Sequence, residues 1–379
     1  MSSKLNFTKL PNHETLVDIL DGIDIVINAV GIIAQTKTKR FKKIHTHAPI
    51  AIFNACYEAN VKKIIQISAL GSQTGTTPYH VTKDRADEHL RSLDIDYAIL
   101  HPSIVYGDDG KSTALFQGLA ALPFTPIIED GSQKLQPITI QDLVKTVEKA
   151  INSPEKNIEI NVVGEKEVTY KELLQGFRKW LGFKPTKSIT LPTFGTNFIG
   201  KFLDEPTVNH DNITMLNQGN SASVQPLAKF LGYIPIGIEE KLFNSEANNS
   251  QKLYASLYLL RPFLRFIIGF VWIFSGIVSA FLYPQHQALE LLREIGIPAG
   301  LDMPTLYIAS FLDITLGVLT IIGYRLQYLL NFQMIVIVVY TLLLTALAPY
   351  HWLHPFGPVL KNIPLLFTIY ILSRLEKYR

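Results

Sequence analysis

The order of apolar segments predicts two architectures in one chain. The first is an α/β unit built on a doubly wound parallel sheet that is incomplete on its N-terminal side, and the second is an all-α transmembrane bundle of four helices. Three observations lead there. β-Branched apolar runs at Asp24–Gly31, Lys63–Ser68 and Asp96–Pro102 alternate with helical stretches at the spacing of parallel βαβ units. Four long apolar stretches crowd together after Pro262, and most of the Lys, Arg, Asp and Glu lie in the first 250 residues.

Asp24-Ile25-Val26-Ile27-Asn28-Ala29-Val30-Gly31 reads as a strand buried on both faces, ending in a small-residue turn where a ligand can approach the backbone. A helix over roughly 47–60 follows, then the strand ending at Ser68, a helix to about Leu93, and the strand ending at Pro102. In such sheets ligands sit at the carboxyl ends of the strands, where Asn28, Gly31, Ser68 and Pro102 all fall. The apolar run Ile25–Ile33 is too short to span a bilayer and follows Asp18, Asp21 and Asp24, so it is not a secretory signal.

The 379 residues fit two or three domains. With 35 Lys and Arg against 32 Asp and Glu, the net charge of +3 carries no nucleic-acid footprint. The single cysteine, Cys56, excludes an internal disulfide and a Cys-based zinc site, and fits a reducing compartment. No metal site is expected.

Tyr79 and Lys83 stand four apart at a helix start, so the ammonium would lie one turn above the phenol. Bringing a phenol from pH 10 to about 7 requires favouring the phenolate by about 4 kcal/mol, which an adjacent cation in a dry cleft supplies. The pair is a candidate proton donor.

These segments resemble the extended and atypical short-chain dehydrogenase/reductases, NAD(P)-binding proteins with a Rossmann-like sheet, and within them the branch related to the 39-kDa accessory subunit of respiratory complex I. The likeness covers about residues 5–245. It implies that Asn28-Ala29-Val30-Gly31 forms the turn beside the adenine-ribose half of NAD or NADP, and that Tyr79 and Lys83 are the catalytic pair. Lys83 would also hydrogen-bond the ribose. His101-Pro102-Ser103-Ile104-Val105-Tyr106-Gly107 is similar to the strand and turn near the nicotinamide, placing Pro102 at the cofactor, and Gln136–Leu143 is similar to the segment that returns to the nucleotide domain. The family's serine falls where this chain has Ala69, leaving Ser68 or Ser72 to orient a substrate oxygen. No Gly-x-x-Gly-x-x-Gly loop occurs, and the chain reads as starting near the third strand, Leu5–Thr8. The strand at Ile25 would then be a long apolar edge, and the expectation is a chain truncated or mis-started at its N-terminus. The resulting domains are 1–110, a partial NAD(P)-binding domain; 111–241, a small substrate lobe; 242–258, a polar linker; and 259–379, the bundle. Within the lobe, Thr169 and Glu172 form a capping-box pattern before a helix with an apolar stripe through Leu173, Phe177 and Trp180.

The spans expected are Pro262–Tyr283, Pro304–Ile322, Leu326–Ala348 and a short Pro358–Ser373, the last also readable as re-entrant. Lys252, Arg261, Arg265, Arg325, Arg374, Lys377 and Arg379 flank one side, so both termini and the reductase-like domain are expected in the cytoplasm. Trp272-x-x-Ser275-Gly276, Asp313-x-x-x-Gly317 and His354-Pro355-Phe356-Gly357-Pro358-x-x-Lys361-Asn362 resemble the DoxX-like family of four-helix membrane modules. Asp313 in mid-span is costly to bury and is expected to pair with Arg265, His351 or Lys361, as packing glue or in function. His351 and His354 read as interfacial anchors rather than metal ligands.

The function expected is a membrane-anchored NAD(P)-dependent oxidoreductase of a lipid- or quinone-like carbonyl or hydroxyl substrate, with the bilayer and a membrane complex as its expected partners. The alternative is a non-catalytic nucleotide-binding scaffold or assembly protein at the membrane.

Overall fold

The computed structural model describes residues 5–36, 38–108, 110–191, 200, 208–355 and 357–377. It divides into two compact units, Met1–Tyr258 and Leu259–Arg379.

The first unit opens with helix α1 (His13–Leu20), capped by the Asn12 side chain accepting from the Thr15 N–H. Strand β1 (Ile25–Asn28) leads through a π-helical turn (Lys42–His47) into α2 (Ala48–Glu58). Then come β2 (Lys63–Ile67), α3 (Pro78–Ser92), β3 (Asp96–Pro102) and β4 (Val105–Tyr106). Next are α4 (Lys111–Ala121), β5 (Thr125–Ile128), β6 (Lys134–Leu135), β7 (Ile138–Thr139), α5 (Ile140–Asn152) and β8 (Ile158–Val162). The unit closes with β9 (Val168–Thr169), α6 (Tyr170–Trp180), β10 (Ser188–Leu191), α7 (His210–Gln218), α8 (Gln225–Leu231), α9 (Ile238–Phe243) and α10 (Asn249–Tyr258).

The main sheet has the order β1-β2-β3-β8, all parallel, with Ile25 opposite Lys63, Lys63 opposite Asp96 and Ala98 opposite Ile158. Neighbouring residues of β2 feed opposite layers, as a strand covered on both faces requires. Ile64 packs with Leu16, Phe53 and Leu90 on one side, and Ile65 with Leu100, Leu143 and Ile160 on the other. Two expectations are corrected here. Residues 5–8 are a turn rather than a strand, because Asn6 Oδ1 accepts from both the Thr8 N–H and its hydroxyl and closes the chain on itself. Within the stretch expected as a linker, residues 249–258 form α10, whose Ala255 and Tyr258 are buried against the α4 lobe. Strand β1 is an edge, with the Ile27 side chain 46% exposed, though only four residues long.

The smaller lobe gathers on α6, where the Thr169–Glu172 capping box is fully formed and Leu174, Phe177 and Trp180 fill the core.

The second unit comprises α11 (Leu260–Ile277), continued by a π-helical turn to Leu282, then α12 (Gln285–Glu294), α13 (Asp302–Ile322), α14 (Leu326–Leu347) and α15 (Asn362–Lys377). Among the described residues three helices are long and apolar enough to cross a membrane: Leu260–Leu282, Asp302–Ile322 and Leu326–Leu347. The expected fourth, α15, has 16 residues and ends in charge. Phe356 and Arg379, used above for the family pattern and the orientation, lie outside the described residues.

Helices α11 and α13 meet backbone to backbone. A methyl on Gly269 would sit 2.8 Å from the Gly317 carbonyl oxygen, one on Gly317 2.5 Å from that of Gly269, and one on Gly276 2.5 Å from that of Ser310. Such small-residue seams let spans approach where lipid offers no hydrophobic drive. Asp313 is buried in this bundle, but none of the three expected cations meets it and its Oδ1 has no hydrogen-bond partner among the described residues. Arg265 lies at Gly323, at the far end of α13, and His351 faces Glu294 at 3.9 Å.

Candidate functional site

The carboxyl ends of β1, β2 and β3 bring most of the expected residues to one rim. Asn28 ends β1; its Oδ1 accepts from the Val30 N–H at 3.3 Å and tightens the turn Asn28-Ala29-Val30-Gly31. Lys83 and His45 close over Gly31: a Cβ there would lie 3.4 Å from Lys83 Nζ and 3.8 Å from His45 Nε2, in ordinary contact with both. Lys83 therefore reaches the β1 turn from α3, as a cation serving a ligand at that turn must. Its ammonium donates to the Ile67 carbonyl at 2.8 Å, and burial pulls its pKa down to about 8 against the opposing charge of Asp87.

Tyr79 starts the same helix, positioned by Thr77 as N-cap and Pro78 at the first turn. Its half-buried ring is held edge-on by His45 (centroids 5.3 Å apart), Phe41 (5.8 Å) and His80 (5.6 Å). Burial first, and the Asp87 charge second, push the phenol up to about 12. This reverses the expected effect on Tyr79. One of the Lys83 ammonium's three N–H groups goes to Ile67, and the charge that acts on the phenol is the Asp87 carboxylate, so the phenol stays protonated at neutral pH.

The serines are engaged. Ser68 donates to the Asp87 carboxylate, and Ser72 bonds His101 Nδ1 at 3.3 Å. Asp87 is wholly buried and also accepts from Gln66 Nε2 at 3.2 Å, while Gln66 Oε1 accepts from Asn28 Nδ2 at 2.7 Å. A continuous chain of bonds thus joins the β1 turn to Ser68. Burial raises the Asp87 pKa, with Ser68, His101, Lys83 and Gln66 opposing. Pro102 ends β3, its carbonyl accepting at 2.9 Å from the N–H of Leu70 in the loop that follows β2. His101 Nε2 meets Glu159 Oε1 at 2.8 Å, and Arg91 Nη2 grips the same oxygen at 2.7 Å. Burial works to raise Glu159, but Arg91 and His101 outweigh it and hold the carboxyl low.

Sequence reasoning missed Asp87, Gln66, His45 and His80. Asp87 was findable, since it lies one turn beyond Lys83 on the same helix face. His45 carried no signal, because its role depends on the fold. Its Nε2 accepts from the Ile32 N–H at 3.0 Å and its ring stacks on Phe41. With Nε2 an acceptor, the proton sits on Nδ1 and points at Thr82 Oγ1, 3.3 Å away. Burial first, then the Lys83 charge, lower its pKa to about 3. Between about pH 3 and 6.5 the unfolded chain binds a proton here that the folded chain refuses, so stability rises with pH across that window. Acidification from pH 6.5 to 4 should lower the melting temperature of the first unit, and His45→Gln should flatten that slope in thermal melts recorded across the range.

Two clefts open beside this rim, meeting at His80. A polar one of about 480 Å³ lies between the loop 70–75 and residues 218–222. An apolar one of about 200 Å³ lies between α4 and α7.

Residues 6–123 match the NAD(P)H-binding family and residues 269–370 the DoxX-like family. The chain is 24% identical over 134 residues to the NADH dehydrogenase [ubiquinone] 1 alpha subcomplex subunit 9, mitochondrial, of Rattus norvegicus and, likewise, of Mus musculus, an alignment spanning 35% of this chain and 36% of each relative. The chain thus spans about a third of the length of these relatives. In structure it resembles the NADPH-dependent quinone oxidoreductase of Escherichia coli complexed with NADPH, with a TM-score of 0.51, 16% identity, and coverage of 64% of this chain and 82% of that one. That likeness shows the nucleotide-binding fold.

Proposed function

With an NAD(P)H-binding domain and a DoxX-like membrane domain joined in one chain, we propose that this protein is a membrane-anchored NAD(P)-dependent oxidoreductase of short-chain dehydrogenase type, acting on a lipid- or quinone-like carbonyl or hydroxyl. One observation carries the reading: Lys83 Nζ stands against Gly31 at the strand ends, one turn from Tyr79 on the same helix. The Lys83 ammonium beside this turn fits a nucleotide ribose. Asn28, Ala29, Val30 and Gly31 would lie along the cofactor, with Lys83 and Pro102 near its nicotinamide ribose. A bound nicotinamide supplies or accepts hydride. Tyr79, protonated at neutral pH, gives a proton to the substrate oxygen as a carbonyl becomes a hydroxyl, and receives one in the reverse direction. Lys83 holds the cofactor, while Ser72, or Ser68 if released from Asp87, orients the substrate oxygen. The bundle supplies the bilayer from which an apolar substrate would come, and the flanking basic residues favour a cytoplasmic first unit, where NAD(P)H is found.

The commitment of Ser68 to Asp87 and the high pKa of Tyr79 favour a second reading, a nucleotide-binding scaffold or assembly protein without turnover. Titrating full-length protein in lipid nanodiscs with NADH and NADPH, followed by single-turnover mixing with a short-chain quinone, separates the two. Binding with nucleotide oxidation is expected; binding without oxidation establishes the scaffold. As Lys83 loses its proton above about pH 8, affinity for the better nucleotide should fall about tenfold between pH 7 and 9, the worth of one charge-assisted hydrogen bond. A flat profile would detach Lys83 from the cofactor.

A further inference from the structure

The two clefts share a waist. His80, Gly219 and Asn220 line both. Asn220 is fixed on three sides, its Oδ1 accepting from the Ile104 N–H at 2.9 Å, its carbonyl from the Gln136 N–H at 3.0 Å, and its own N–H donating to the Lys134 carbonyl at 2.8 Å. Gly219 turns at φ +80°, which a side chain would strain. Opposite them, His80 is pinned by Thr77 Oγ1 at 3.2 Å and by Gly75, where even a methyl would fall 2.1 Å from its Nδ1. The residues that the two clefts share are therefore built and fixed.

The chambers differ in chemistry. Beyond the waist the polar one presents amides and hydroxyls, among them Ser72, Asn161 and Gln218. The apolar one is walled by aliphatic and aromatic side chains, among them Leu115, Phe116 and Leu216, and its roughly 200 Å³ exceeds the cavity of about 150 Å³ that accepts a benzene-sized ligand. No Lys, Arg, Asp or Glu lines either chamber among the described residues. The titratable groups of the polar chamber are His80 and His101, and His101 is already held by Glu159, so a charged head would lack a free counter-ion, whereas hydroxyls would find both donors and acceptors.

We propose that the two clefts are one substrate site for a single amphiphile, with an uncharged, hydroxyl-bearing head in the polar chamber, a hydrocarbon tail in the apolar chamber, and the junction of the two beside His80. The assignment of this ligand as the substrate rests on the oxidoreductase reading; the shape and lining of the site do not. Tyr79 adjoins His80 in sequence and in ring contact, which brings the candidate proton donor next to a residue that lines both clefts.

The test is calorimetric titration of full-length protein in nanodiscs, with empty discs subtracted, using hexyl β-D-glucoside, glucose, 1-hexanol and hexyl sulfate. Hexyl glucoside should bind at least tenfold more tightly than glucose, hexanol or hexyl sulfate. Leu216→Asn, with Leu115→Asn as a second variant should the first fail to fold, should weaken hexyl glucoside about tenfold and leave glucose unchanged. Gln218→Leu should weaken glucose and hexyl glucoside alike. Equal binding of glucose and hexyl glucoside, stronger binding of hexyl sulfate, or indifference to both apolar-wall variants would overturn the proposal. Binding of hexyl glucoside by protein that binds neither NADH nor NADPH would leave the two-chamber site standing and remove the oxidoreductase reading.

Discussion

Replacing Tyr79 with phenylalanine should lower the single-turnover rate of NAD(P)H oxidation by about 10²–10⁴-fold, the contribution of a positioned proton donor. The substitution isolates the hydroxyl. Phenylalanine keeps the ring contacts with Phe41, His45 and His80, so helix α3 and the waist of the cleft should stay in place and nucleotide affinity should change by less than about twofold. Stopped-flow absorbance at 340 nm reads the first quantity and fluorescence titration the second. An unchanged rate would take Tyr79 out of the chemistry. The waist histidine would then become the nearest acid, although burial keeps its pKa below the ordinary imidazole value. Because the phenol lies near 12 without a bound nucleotide, the rate of carbonyl reduction should show no ionisation of Tyr79 between pH 6 and 8.

The second large effect concerns Asp87. Asp87→Ala should destabilise the first unit by about 3–5 kcal/mol, because it strands the Ser68 hydroxyl and the Gln66 amide and leaves the buried Lys83 charge without its nearest carboxylate. For a domain of this size that corresponds to a fall of roughly 6–20 °C in melting temperature. Asp87→Asn keeps an acceptor for Ser68 and should cost less than half as much. Thermal melts of both variants in the same detergent check the order, and equal losses would mean that the charge, not the hydrogen bonding, holds the network.

Most of the sheet was legible because its strands carry their own signals. The runs at Ile25, Lys63 and Asp96 are apolar on both faces, and Pro78 after Thr77 marks a helix start that needs no tertiary information. Residues 5–8 misled because four residues alternating apolar and polar are too few to tell strand from turn, and Asn6 decided the matter by bonding Thr8 two residues on. The helix at Asn249–Tyr258 was hidden for the converse reason, as its polar surface resembles a linker until Tyr258 is seen against Gly118. At the rim, Tyr79 and Lys83 were visible as a spacing, but their environment was not. Whether an ammonium or a carboxylate governs a phenol depends on where Ile67 and Asp87 end up, and no local pattern encodes that. In the bundle, Asp313 advertised itself, but that none of the expected cations meets it among the described residues depends on tertiary packing that no local pattern encodes.

The glycine contacts between the first two spans bear on heredity. Gly269, Gly276 and Gly317 face main-chain oxygens at distances that no methyl group can occupy. A codon change at any of them would pry the pair apart rather than trim a side chain, so drift should be arrested at these three positions while the lipid-facing residues around them wander freely among Ile, Leu, Val and Phe.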